Sequence, residues 1–247
     1  MAVDIGEMLD RLLTEGAQHR DDTHDYRLTS IPLGEVTLPT GRVVACDPLV
    51  LPGAAPPFTV TVAPGRYRLR AWVAVVHPAA DRPSASHRSS VHHRPGRGRP
   101  SVHHRPGSDR PSVRHRPESD RRTAALQLVL RDEPVTAWEP ALLPYADPLR
   151  LDEDHFFAYP VDSGLGTLAD ERALAALTTW SYARVEQAFL PEPSPPAPGA
   201  LHAITHPPTG ANVVAVCTGW GDGDYATFIG RTARGDVASF VTDFRVI

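Results

Sequence analysis

The residues whose types and spacing best suit chemistry lie in two glycine-acid stretches, Asp162 to Asp170 (DSGLGTLAD) and Gly219 to Tyr225 (GWGDGDY). In the second, alternating Gly and Asp set backbone N–H groups beside carboxylates. That pattern suits a cation held through Asp222 and Asp224, or an anion held through the amides. The ordinary alternative is a tight connection in which the glycines take φ > 0 and the Asp side chains cap the turn, with Trp220 and Tyr225 flanking it. A calcium loop needs more oxygen donors at fixed spacing, so the connection is the favoured reading and no metal is assigned.

In the first stretch, Gly164-x-Gly166-x-x-Ala169 follows a strand-like run and precedes a helix-like one, a superficial match to a dinucleotide fingerprint. The surrounding patterning is antiparallel in type, no βαβ series is present, and no acid closes a second strand. A glycine turn leading to an Asp170 helix cap is therefore expected, and no cofactor is assigned. The sequence has no GxSxG, no HExxH and no cysteine with an evident histidine partner. What remains is a set of turn-located acids, Asp47, Asp162, Asp170, Asp222 and Asp224, that could converge.

Composition removes whole classes of chemistry. All 25 basic residues are arginine, and without a lysine amine neither a Schiff base, nor a pyridoxal-phosphate site, nor a P-loop clamp can be built. Cys46 and Cys217 stand apart with no CxxC spacing and read as buried small apolar residues. No apolar run approaches a bilayer span, and the acidic start MAVDIGEMLDRLL is unlike a signal peptide, so a cytoplasmic protein is expected.

The elements that must position these residues are mostly strands. Residues 5–17 carry Ile5, Leu9, Leu12 and Leu13 at helical spacing. Runs at 34–38 and 42–46 flank Pro39-Thr40-Gly41, and runs at 58–63 and 66–76 flank Pro64-Gly65, two expected hairpins. In 66–76, Tyr67, Leu69, Ala71, Val73 and Val75 alternate with Arg66, Arg68 and Arg70, which predicts a half-buried strand. Its expected partner is 124–131. Shorter strands are predicted at 138–143 and 156–162, one helix at 170–189, a stiff proline-rich linker at 190–200, and strands at 213–217, 225–232 and 237–247.

Between the paired strands, residues 82–122 hold an 11-residue repeat beginning at Ser90, Ser101 and Ser112. The segment carries eleven arginines and three acids, a surplus of eight positive charges, so within a total of −4 the remainder carries −12. Almost no apolar content is available to offset ordering, which predicts a disordered basic tip on an acidic body. Its histidines suit transition metals, and its arginines suit phosphates. Lacking aromatic residues for stacking, it is expected to bind nucleic acid weakly, if at all. The fold class expected is α+β, mainly antiparallel β, sandwich-like or a strongly bent sheet, with two helices. Residues 1–30 form a helix and polar lead, and 31–247 one β-rich domain interrupted by 82–122 and 190–200.

Five segments together resemble DUF4241, a bacterial family of unknown function: TGRVVACDPLV (40–50), FTVTVAPGRYRLRAWVAV (58–75), AALQLVLRDEPVTAWEPAL (124–142), FFAYPVDSGLGTLAD (156–170), and 212–244 through GWGDGDY. The resemblance leaves out the first thirty or so residues, the repeat and the proline-rich segment, and it implies no activity and no catalytic residues. Similar domains look like accessory or toxin-neutralising and defence-associated interaction modules. The leading expectation is a non-enzymatic module binding a protein or small molecule in a groove lined by Asp162, Gly164, Gly166, Asp170, Trp220, Asp222, Asp224 and Tyr225. The alternative is a metal-dependent hydrolase using Asp162, Asp170, Asp222 and Asp224. No membrane partner is expected.

Overall fold

The computed structural model describes residues 4–50, 52–79, 120–146 and 157–247. Asp4 accepts the Glu7 N–H at 3.1 Å and starts α1 (Ile5–Leu12), which buries Leu9 and Leu12. Each of those leucines contributes about 2 kcal/mol by leaving water. The helix is shorter than its periodicity predicts. The chain turns at Gly16 (φ 75°) into β1 (Gln18–Arg20) and the long β2 (His24–Leu38). β3 (Val43–Cys46) follows, then β4 (Gly65–Pro78), β5 (Asp120–Val129), β6 (Ala137–Pro140), β7 (Ala158–Val161) and β8 (Leu165–Asp170). Two short helices, α2 (Glu171–Leu177) and α3 (Tyr182–Phe189), precede β9 (Leu201–His206), β10 (Ala211–Cys217), β11 (Gly223–Arg231) and β12 (Val237–Asp243).

The strands form two antiparallel sheets, so the expected α+β class with a mainly antiparallel, strongly bent sheet holds, with three helices rather than two. The larger, curled sheet runs β1-β2-β4-β5-β12-β11-β6, with β7 also paired to β11. The smaller runs β3-β8-β10-β9. Between them lies a core built from Leu69, Leu126, Leu128, Ile229 and Phe240 on one side and Val43, Leu168, Val214 and Val216 on the other. α1 covers the outer face of the large sheet through Leu9 and Leu12 against Leu28, Trp72 and Phe228. α2 and α3 cover the outer face of the small sheet through Leu174, Leu177 and Phe189. Four layers result.

The predicted pairing of β4 with β5 is present, with Leu69 across from Leu128 and Ala71 across from Leu126. Five expectations are corrected. Pro39-Thr40-Gly41 does not close a hairpin: β2 pairs with β4 and β3 with β8, so the chain crosses between sheets there. Gly41 (φ 70°) makes the crossing possible, because a side chain would run into the Val62 carbonyl. Nor do residues 58–63 pair with β4. They lie along β3 instead, with Phe58 N–H donating to Val43 O at 2.9 Å and Arg42 bridged to Thr61.

LGTLAD, read as a turn and helix entry, is a fully buried strand. The single helix expected over 170–189 breaks at 178–181, where Ser181 caps α3. Residues 80–119 lie outside the described residues, whereas Asp120, Arg121 and Arg122, assigned to the disordered tip, open β5 across from Val76, Val75 and Ala74. Among the described residues no helix is long and apolar enough to cross a membrane.

Candidate functional site

The two glycine-acid turns are neighbours. β7 and β11 pair with Val161 across from Gly223 and Tyr159 across from Tyr225, which sets the turn after β7 beside the turn before β11. The Thr218 N–H donates to Gly164 O at 2.9 Å, joining them directly. Continuing the β7–β11 register by one residue places Asp162 and Asp222 on facing turns. Asp162, Asp222 and Asp224 are exposed, and no hydrogen bond or ion pair engages their carboxylates among the described residues.

GWGDGDY connects β10 to β11 and therefore crosses from the small sheet to the large one. Its geometry is fixed from within. Gly221 O accepts both the Thr218 and the Tyr225 hydroxyls at 2.6 Å, and Gly221 N–H donates to Thr218 O at 2.8 Å. Trp220, 49% exposed, lies under the Arg122 guanidinium, 4.6 Å from its ring centre, with the His24 ring 6.4 Å away. Burial pushes the Tyr225 hydroxyl up.

The other turn is held by a residue that sequence spacing singled out only as one acid among several. Asp47, 2% exposed, follows β3 and reaches across to the chain after β7. Its Oδ2 accepts the N–H groups of Asp162 (3.0 Å) and Ser163 (2.8 Å). Its Oδ1 accepts the Ser163 hydroxyl (2.8 Å) and the N–H groups of Leu49 (2.9 Å) and Val50 (3.3 Å). The five donors are all uncharged. The readable signal was Asp47-Pro48 at a strand end; its partners Asp162 and Ser163 sit more than a hundred residues away and left no local trace.

Asp170 does not join the other acids. It stands at the far end of β8, about 17 Å from Leu165 at the rise of an extended strand. It is fully buried, capping α2 through the Arg172 N–H (2.9 Å) and accepting the Thr40 N–H (3.0 Å) and hydroxyl (2.9 Å). Gly166 lies inside β8, where an added methyl group would come within 3.0 Å of the Tyr159 hydroxyl and of Thr218. Close packing, rather than phosphate approach, accounts for that glycine. Among the described residues no group of three or more His, Cys, Asp or Glu side chains is placed to hold a metal ion.

Beside the β7–β11 pair is a cavity of about 160 Å³. Phe58, Tyr145, Phe157, Tyr159 and Tyr225 bring aromatic rings to its wall; Ala45, Cys46, Ala141 and Thr227 fill between them, and Asp47 borders it. Burial pushes the Cys46 thiol up, with the Asp47 charge adding to the effect, and burial likewise raises Tyr159. Of the residues predicted for the site only Tyr225 lines this cavity. The other rings come from segments read as unremarkable strands and loops.

A family model described as "Protein of unknown function (DUF4241)" matches residues 36–95 and 109–242, and the chain belongs to this family. No curated protein and no solved structure matches the chain.

Proposed function

We propose that the chain is a non-enzymatic binding module that takes a small ligand into the cavity beside the two joined turns. The observation that carries this reading is the aromatic-lined cavity of about 160 Å³, bounded by β7 and β11 and held in shape by the Asp47 bonds to Ser163. A cavity near this size, when walled by apolar side chains, accommodates a ring-sized molecule. The groups around it that chemistry would use are spoken for. The Cys46 thiol and the Tyr159 and Tyr225 hydroxyls are held protonated by burial, and the Asp47 oxygens accept five donors.

Alanine-methyl NMR tests the reading, because Ala45, Ala54, Ala55, Ala141 and Ala158 all border the cavity. A panel of ring-sized organic molecules is expected to contain members that shift these methyls and leave Ala173 and Ala176 of α2 unmoved. A panel that shifts none of the five overturns the assignment.

A further inference from the structure

Charge decides what kind of ring-sized molecule the cavity favours. No arginine or histidine borders it among the described residues, and its one ionisable acid, Asp47, is 2% exposed. Asp47 has five uncharged donors and no ion-pair partner among the described residues. Neutral hydrogen bonds hold this buried carboxylate in place without cancelling its net charge. Here the space next to it is walled by the rings of Phe58, Tyr145, Phe157, Tyr159 and Tyr225. Aromatic faces carry partial negative charge and attract cations too poorly hydrated to prefer water.

We propose that the cavity receives a fully alkylated ammonium group, with the aromatic rings enclosing its methyl groups and Asp47 supplying the buried counter-charge. This rests on the cavity being the ligand site. A primary ammonium or a guanidinium fits less well, since each would need hydrogen-bond acceptors, and the Asp47 oxygens are already engaged. An alkylated ammonium needs none.

The test is a calorimetric and alanine-methyl NMR titration of the full chain with choline and with 3,3-dimethylbutan-1-ol, which has the same shape and no charge. Choline is expected to bind at least tenfold more tightly and to shift Ala45, Ala141 and Ala158. Replacing the 74%-exposed Tyr145 by leucine is expected to abolish that preference without lowering the melting temperature. Equal binding of the two probes overturns the cation assignment while leaving the cavity a ligand site. Binding of neither, alongside positive members of the neutral panel, overturns the cation assignment in the same way. A trimethyl-lysine peptide forms the third arm. Tighter binding than choline places the group on a protein partner, and weaker binding places it on a free molecule.

Discussion

Asp47 and Ser163 meet twice: the Ser163 N–H donates to Oδ2 and its hydroxyl to Oδ1, each at 2.8 Å, across 116 residues of sequence. One carboxylate thereby ties the end of β3 to the turn after β7. Asp47→Ala is expected to cost about 3 kcal/mol or more, because it leaves several buried donors unpaired. Ser163→Ala removes one bond and should cost about 1 kcal/mol. Urea unfolding of the two variants checks the order. Equal losses would mean that the Asp47 carboxylate is not the anchor.

The five acids first grouped by sequence should separate in the same assay. Asp170→Ala strips a helix cap and both Thr40 bonds from a fully buried site, for a loss of about 2–4 kcal/mol. Asp162→Asn and Asp222→Asn relieve facing negative charge on exposed turns and should lie within about 0.5 kcal/mol of the parent, on the stabilising side. A large loss at either would show that those carboxylates have structural partners.

How far the fold was legible follows from which residues carry local signals. Leu126 and Leu128 alternate in step with Leu69 and Ala71 of β4, so that pair was readable. β8 was not: LGTLAD is buried on both faces, so it shows no alternation, and Gly166 with the preceding Gly164 imitates a turn. Trp72, Ala74 and Val76 broke the half-buried pattern of β4 because α1 covers that face, a contact no local window reveals. Pro39-Thr40-Gly41 suits a hairpin or a crossing equally well, and only the distant Val62 and Asp170 decide which. At the site, the sequence left open whether the two turns are neighbours. The cavity was not anticipated, since its rings are scattered from Phe58 to Tyr225.

Acid and base should act on stability through Asp243. Desolvation pushes this part-buried carboxyl up to about 6, against the opposing Arg245 N–H and guanidinium. The folded chain thus holds the proton more readily than the unfolded one, whose Asp titrates near 3.9. The stability this group contributes is present below about pH 4 and is lost as pH rises toward 6. Asp243→Asn should therefore be more stable than the parent at pH 7.5, by about 1–2 kcal/mol, with the difference vanishing near pH 4. Thermal melts at the two pH values decide it, and a difference that grows toward low pH would refute the sign.

Two glycines with similar backbone angles should respond differently to alanine. Gly41 (φ 70°) would drive its new methyl into the Val62 carbonyl, while Gly164 (φ 68°) has nothing within 4 Å. Gly164→Ala should cost about 1 kcal/mol, the left-handed backbone penalty alone. Gly41→Ala should cost about 3 kcal/mol or more, because backbone must move. Matching midpoints in urea would contradict the crossing geometry.

The placement of β12 has a further consequence for how the chain comes into being. β5, at residues 120–129, finds one of its two neighbours only in residues 239–243, and β8 finds β10 only after residue 215. Consecutive strands at 38–43, 161–165 and 217–223 belong to different sheets, so neither sheet is complete until strands beyond residue 200 have joined it. A nascent chain must therefore leave one edge of β5 unpaired until residues 239–243 have emerged. Until that late pairing forms, the open edge of β5 is a site where another chain could add instead.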